Sequence, residues 1–183
     1  MNHTSLLVVP VICLLAVIVI AFMVARKRRS DRLRARFGPE YDRVVKQEGG
    51  VRQAEGVLTF REKRREKLAI RELSASDRTR YEANWEEVQG RFVDDPAGAV
   101  TVADRMVADV MRTRGYPVGD FEQRAADISV DHPVVVDQYR AAHSIAIRHD
   151  RGQATTEDLR KAMVHYRALF QELIGAQLHR KQA

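Results

Sequence analysis

The chain has 183 residues, of which 45% are hydrophobic and only 7% aromatic, with one cysteine and a formal charge of +6. That composition leaves room for one modest core and excludes an internal disulfide framework. The positive excess does not mark a nucleic-acid-binding face, because it is concentrated in residues 26–36 and the remainder of the chain is balanced in sign.

Residues 6–25 form an uninterrupted apolar run, followed at once by Arg26, Lys27, Arg28 and Arg29. Twenty residues rise about 30 Å as a helix, the hydrocarbon thickness of a bilayer. The run therefore predicts a single transmembrane helix, with residues 1–25 as tail and span. Basic residues beside a span stay on the cytoplasmic side, and no charged side chain precedes it before residue 6. The expected topology is N-terminus outside and C-terminal body cytoplasmic, in the inner membrane. A cleaved signal is disfavoured, since its charge precedes a shorter apolar stretch. Cys13 lacks a lipoprotein context because Ile12 is bulky, so it reads as a small apolar side chain. Pro10 falls early in the span, where a missing N–H costs little.

Residues 26–38 are a basic juxtamembrane segment. Arg26, Lys27, Arg28, Arg29, Arg32, Arg34 and Arg36 are the expected contacts with an anionic membrane surface. Gly38-Pro39 starts a new helix that stops at Gly49-Gly50. Residues 51–71 then read as a charged helix whose thin apolar stripe is Val57, Phe60 and Leu68. Together, residues 39–72 are expected to be a helical stalk, the charged helix either standing as such or laying one edge against the domain that follows. Its run Arg61-Glu62-Lys63-Arg64-Arg65-Glu66-Lys67 mixes signs and reads as a solvated face in preference to a nucleic-acid patch.

From residue 73 to 175 the pattern is that of a compact five-helix bundle. Ser74 with Asp77 caps a helix carrying Tyr81, Trp85, Val88 and Phe92 on one face. Asp95-Pro96 opens the next, with Val100, Ala103, Val107, Val110 and Met111, ended by Gly115 and Pro117. Asp120 with Gln123 opens a short helix bearing Phe121, Ala125 and Ile128. Asp131-His132-Pro133 reads as the start of a fourth, with Asp131 as cap and Val136, Tyr139, His143 and Ile147 in line. Thr155 with Asp158 caps the last, whose face is Leu159, Met163, Tyr166, Phe170 and Leu173. Residues 176–183 are a C-terminal tail. The fold class expected is all-α.

The words Phe92-Val93-Asp94-Asp95-Pro96, Arg114-Gly115-Tyr116-Pro117, Asp131-His132-Pro133 and Ala162-Met163-Val164-His165-Tyr166-Arg167 together resemble a family of uncharacterised bacterial membrane-anchored proteins, often labelled as membrane or secreted. The resemblance covers most of residues 31–174. It implies a bacterial source and one globular domain behind an anchor, and carries no activity or site residue with it.

Signatures of chemistry are sparse. His143 and His165 could approach across a helical hairpin, with Asp137 or Glu172 as a further ligand, but they fall on different faces of their helices, and a structural His143 is the simpler account. Asp127, Asp131, His132 and His143 offer an acid–base cluster and hence the alternative of an enzyme of unrecognised class. The face of Tyr81, Trp85 and Phe92 reads as core before groove. The loop Tyr116-Pro117-Val118-Gly119 suits either a partner contact or a packed turn. Phosphate loops, Gly-x-Ser-x-Gly and CxxC elements are missing from the sequence. The expectation is a non-catalytic interaction module with no cofactor and no metal, held at the lipid bilayer and meeting a protein partner, with nucleic acid not expected.

Overall fold

The computed structural model describes residues 3–175, with side chains from Leu14 onward. Cys13, Pro10 and the tail 176–183 therefore lie outside the described side chains. Among the described residues the fold is all-helical: α1 (His3–Phe37), α2 (Pro39–Glu48), α3 (Val51–Glu66), α4 (Ala75–Arg91), α5 (Pro96–Arg114), α6 (Phe121–Asp131), α7 (Val136–Asp150) and α8 (Thr156–Leu173).

The long helix α1 carries the apolar run straight into the basic segment. At about 1.5 Å per residue its 35 residues extend roughly 52 Å. It ends where Gly38 adopts φ +49°, a left-handed geometry that turns the chain sharply, and Pro39 begins α2. The turn lets α2 and α3 fold back against the C-terminal part of α1. Leu33, Phe37, Tyr41, Val44, Ala54 and Leu58 close over a small core with Val130 of α6. Each large apolar side chain so buried contributes about 1.5–3 kcal/mol. The charged helix α3 thus lies against α1 and α2 and lays a further edge against α6, the second of the two expected arrangements. Leu58, which sits among charges in the sequence, is its buried contact, while Phe60 remains exposed.

Helices α4–α8 share the larger core. Trp85 stacks on Phe170 with ring centroids 4.6 Å apart, and Tyr139 meets Tyr166 edge-on at 6.3 Å. Side-chain caps hold four of these helices: Ser74, Asp95, Asp120 and Thr155 accept from the backbone N–H of Asp77, Gly98, Gln123 and Asp158. Thr155 and Asp158 complete a reciprocal capping box.

Two expected boundaries are corrected. The charged helix ends at Glu66, short of residue 71. Leu68 leaves its stripe and, with Ile70 and Leu73, packs on the larger core. The segment between α3 and α4 is clipped to α5 by Arg71 N–H donating to the Arg114 carbonyl (2.9 Å). Gly115 makes room for this, since a Cβ there would lie 2.5 Å from the Ala69 carbonyl oxygen and its φ is +95°. Second, Asp131 caps nothing; it is the last residue of α6, and α7 begins only at Val136. The reason is Pro133, which drives His132 out of the helical region (φ −131°, ψ 55°) and so ends α6 before it.

Phe170→Ala is expected to cost about 3–5 kcal/mol in denaturant unfolding of the purified chain. Trp85 is the sole tryptophan, so its native emission should shift to longer wavelength as its stacking partner is removed.

Candidate functional site

Helix α3 is the hinge of the electrostatics, because its arginines and glutamates face three different elements. Toward α1, Glu62 accepts from Arg32 (3.2 Å) and lies 3.5 Å from Arg36. Arg29 Nη2 donates to Thr59 Oγ1 at 2.9 Å, and Arg34 lies over the Tyr41 ring. Toward α2, Tyr41 OH donates to Glu55 Oε1 at 3.1 Å. Toward α6, Arg64 pairs with the buried Asp127 (2.9 Å) and Arg65 with Asp131.

The most buried carboxylate is Glu40, whose residue is fully enclosed. Arg43 donates to both of its oxygens from within α2 (2.7 and 3.0 Å). Arg61 of α3 donates to Oε1 at 2.7 Å and Arg140 of α7 at 3.2 Å. Burial alone would raise its pKa, but the hydrogen bonds from Arg43 and Arg61, and the charge of Arg140, hold it below the usual carboxylate value.

All seven basic residues of segment 26–38 are solvent-exposed. They divide by use: Arg29, Arg32, Arg34 and Arg36 also reach α3 or Tyr41, whereas Arg26, Lys27 and Arg28 make no ion pair among the described residues. A groove of about 480 Å³ opens beside them, between α1 and α3. It is lined by Phe22, Ala25, Arg26, Arg29, Arg52 and Glu55. The basic run 61–67 is not a solvated face throughout, because Arg61, Arg64 and Arg65 are tied to Glu40, Asp127 and Asp131.

The acid–base candidates have separate partners. Asp127 and Asp131 lie one turn apart on α6, both neutralised from α3. Asp131 also accepts from Tyr116 OH at 2.6 Å, so burial first and this hydrogen bond second raise the Tyr116 pKa. His132 Nδ1 lies 3.1 Å from Glu172 and Nε2 3.4 Å from Arg114 Nη1, a pairing that fits a proton on Nδ1. His143 sits elsewhere, stacked on Phe121 at 3.6 Å, and burial lowers its pKa. The geometry brings no carboxylate–histidine pair from this set together other than the neighbours Asp131 and His132, each already engaged. Among the described residues no group of three His, Cys, Asp or Glu side chains is placed to hold a metal ion. Tyr81 and Trp85 are buried in the core, and Phe92 is packed against it. Tyr116 is buried and Val118 rests on the core, so their loop is a packed turn.

Sequence reasoning missed Glu40, Glu55 and Arg52. An acid in the first turn with Arg43 three residues on was the local signal for Glu40; the arginines from α3 and α7 had none. Compared with models of protein families, with curated proteins and with solved structures, the chain matches none.

Glu40→Gln is expected to destabilise the chain by about 3–5 kcal/mol at pH 7, since it leaves arginines clustered without their anion. A depressed native pKa means that Glu40 contributes fully above its unfolded value near 4.5, with the contribution fading as pH falls through the native value. Thermal unfolding from pH 7 down to pH 3 should show the gap between the two proteins closing below about pH 4.5.

Proposed function

We propose that the chain is a single-pass, membrane-anchored interaction module, with its helical body at the cytoplasmic face of the inner membrane and no catalytic role. The observation that carries this reading is the uncovered apolar rod. Leu14, Leu15, Val17, Ile18, Val19, Ile20, Phe22, Met23 and Val24 of α1 are each 45–68% exposed among the described residues. So contiguous an apolar surface is costly in water and is satisfied by lipid or by another chain. No helix among the described residues is long and apolar enough to cross a membrane. The reading therefore draws on the whole run of residues 6–25, of which the described side chains supply the portion from Leu14.

The basic residues that follow support the orientation, because translocating them is disfavoured. The resemblance of the four sequence words to bacterial membrane-anchored proteins points the same way. An interaction role suits a body whose polar clusters are internally paired and whose attachment to lipid raises its effective concentration toward another membrane protein. Because α1 enters the small core directly, the anchor and the body share one helix, and the body is presented in a fixed attitude.

The test is fractionation and labelling of the full chain carrying Cys13→Ser and Gln153→Cys. The chain should stay with membranes through alkaline carbonate. The thiol at position 153, in an exposed turn, should react with a membrane-impermeant maleimide only after the inner membrane is opened, and mild detergent should release the chain in a complex larger than its monomer. Release by carbonate contradicts the anchor, labelling in intact cells contradicts the orientation, and a lone monomer in several detergents contradicts the interaction role.

A further inference from the structure

We infer that the groove between α1 and α3 is a binding site for the headgroup of an anionic phospholipid. The inference rests on the membrane reading above and adds to it a defined site with a lipid preference. The groove joins two kinds of surface. Phe22 and Ala25 form its apolar wall at the end of the exposed run of α1, and Arg26, Arg29 and Arg52 supply three guanidinium groups one turn further along. Its single acid, Glu55, is buried and accepts a hydrogen bond from Tyr41 OH, and the three guanidinium groups outnumber it, so the lining keeps a net positive charge. Arg29 uses Nη2 to hold Thr59 Oγ1 and retains its other N–H donors for the groove.

Charge complementarity selects the occupant. A phosphodiester presents unesterified oxygens that guanidinium groups bind in pairs, and its glycerol and acyl portions would continue along Phe22 toward Ile18 on an apolar surface. Basic pockets at the cytoplasmic end of membrane helices bind such headgroups for this reason. At about 480 Å³ the groove is large enough for a phosphoglycerol group, and its mixed lining of apolar and guanidinium side chains suits a headgroup joined to an acyl chain. Arg52 distinguishes this site from a general attraction to the membrane surface. It belongs to α3, outside the juxtamembrane cluster, and it makes no ion pair among the described residues.

The experiment uses the full chain reconstituted in vesicles of phosphatidylglycerol and phosphatidylcholine in equal parts. After extraction in a mild detergent, native mass spectrometry counts the lipids retained. The wild-type chain should retain phosphatidylglycerol in clear excess over phosphatidylcholine. Arg52→Gln and Arg26→Gln should each lower that preference by about fivefold, the worth of one basic side chain at an anionic surface. Lys63→Gln, an exposed cation elsewhere on α3, should leave it unchanged. Equal retention of the two lipids by the wild type overturns the site, as does an unaltered preference in Arg52→Gln. Carbonate resistance of each variant is read in parallel: a wild-type chain released by carbonate removes the anchor and the site together, whereas an embedded chain without lipid preference removes the site alone.

Discussion

The three arginines gathered on Glu40 are the constraint on which the arrangement of this molecule depends. Arg43 comes from the same helix, Arg61 from α3 and Arg140 from α7, so one enclosed carboxylate joins the small core around α1–α3 to the larger core of α4–α8. A lone buried charge is expensive, and each partner is costly to remove once the others are in place. Arg64 with Asp127 and Arg65 with Asp131 repeat the device along the α3–α6 seam. Apolar contact there is thin, with Val130 the one α6 residue in the small core. The seam is therefore specified by charge placement more than by buried area.

That specification has a mechanical consequence. A helix that begins in an apolar run and ends as a wall of a packed core transmits its direction to everything packed against it. The sharp turn at Gly38 folds α2 and α3 back along α1, and the ion pairs then fix α6 onto α3 and α7 onto α2. In the membrane-anchored reading proposed above, weak contacts between a body so held and another membrane protein would be favoured twice, by confinement to two dimensions and by restricted orientation. The arginines of α1 contribute on both sides of this arrangement: Arg32 and Arg36 brace Glu62, while Arg26 and its neighbours face outward.

How much of this was legible in the sequence follows the range of each interaction. Ser74, Asp95, Asp120 and Thr155 were readable as caps because their acceptor and donor are three residues apart. The stripes of Tyr81, Trp85, Tyr139, Tyr166 and Phe170 were readable because burial follows helical period. Asp131 misled because its neighbours Pro133 and His132 look like a helix start, whereas its partners are Tyr116 and the distant Arg65. Arg61, Arg64 and Arg65 looked solvated for the same reason: mixed charge on one segment does not disclose which carboxylates another segment will bring. The groove of Arg26, Arg29 and Arg52 depends on α3 lying against α1, which periodicity does not reveal.

The most direct measurement of the joined-core account is a double-mutant cycle on Glu40→Gln and Arg140→Met, the pair that links α2 to α7. Unfolding free energies of the four detergent-solubilised proteins should reveal a coupling of at least about 1 kcal/mol, with the double variant less destabilised than the two single changes added together. Additivity within about 0.5 kcal/mol would show that the two cores are held together by something other than the enclosed carboxylate.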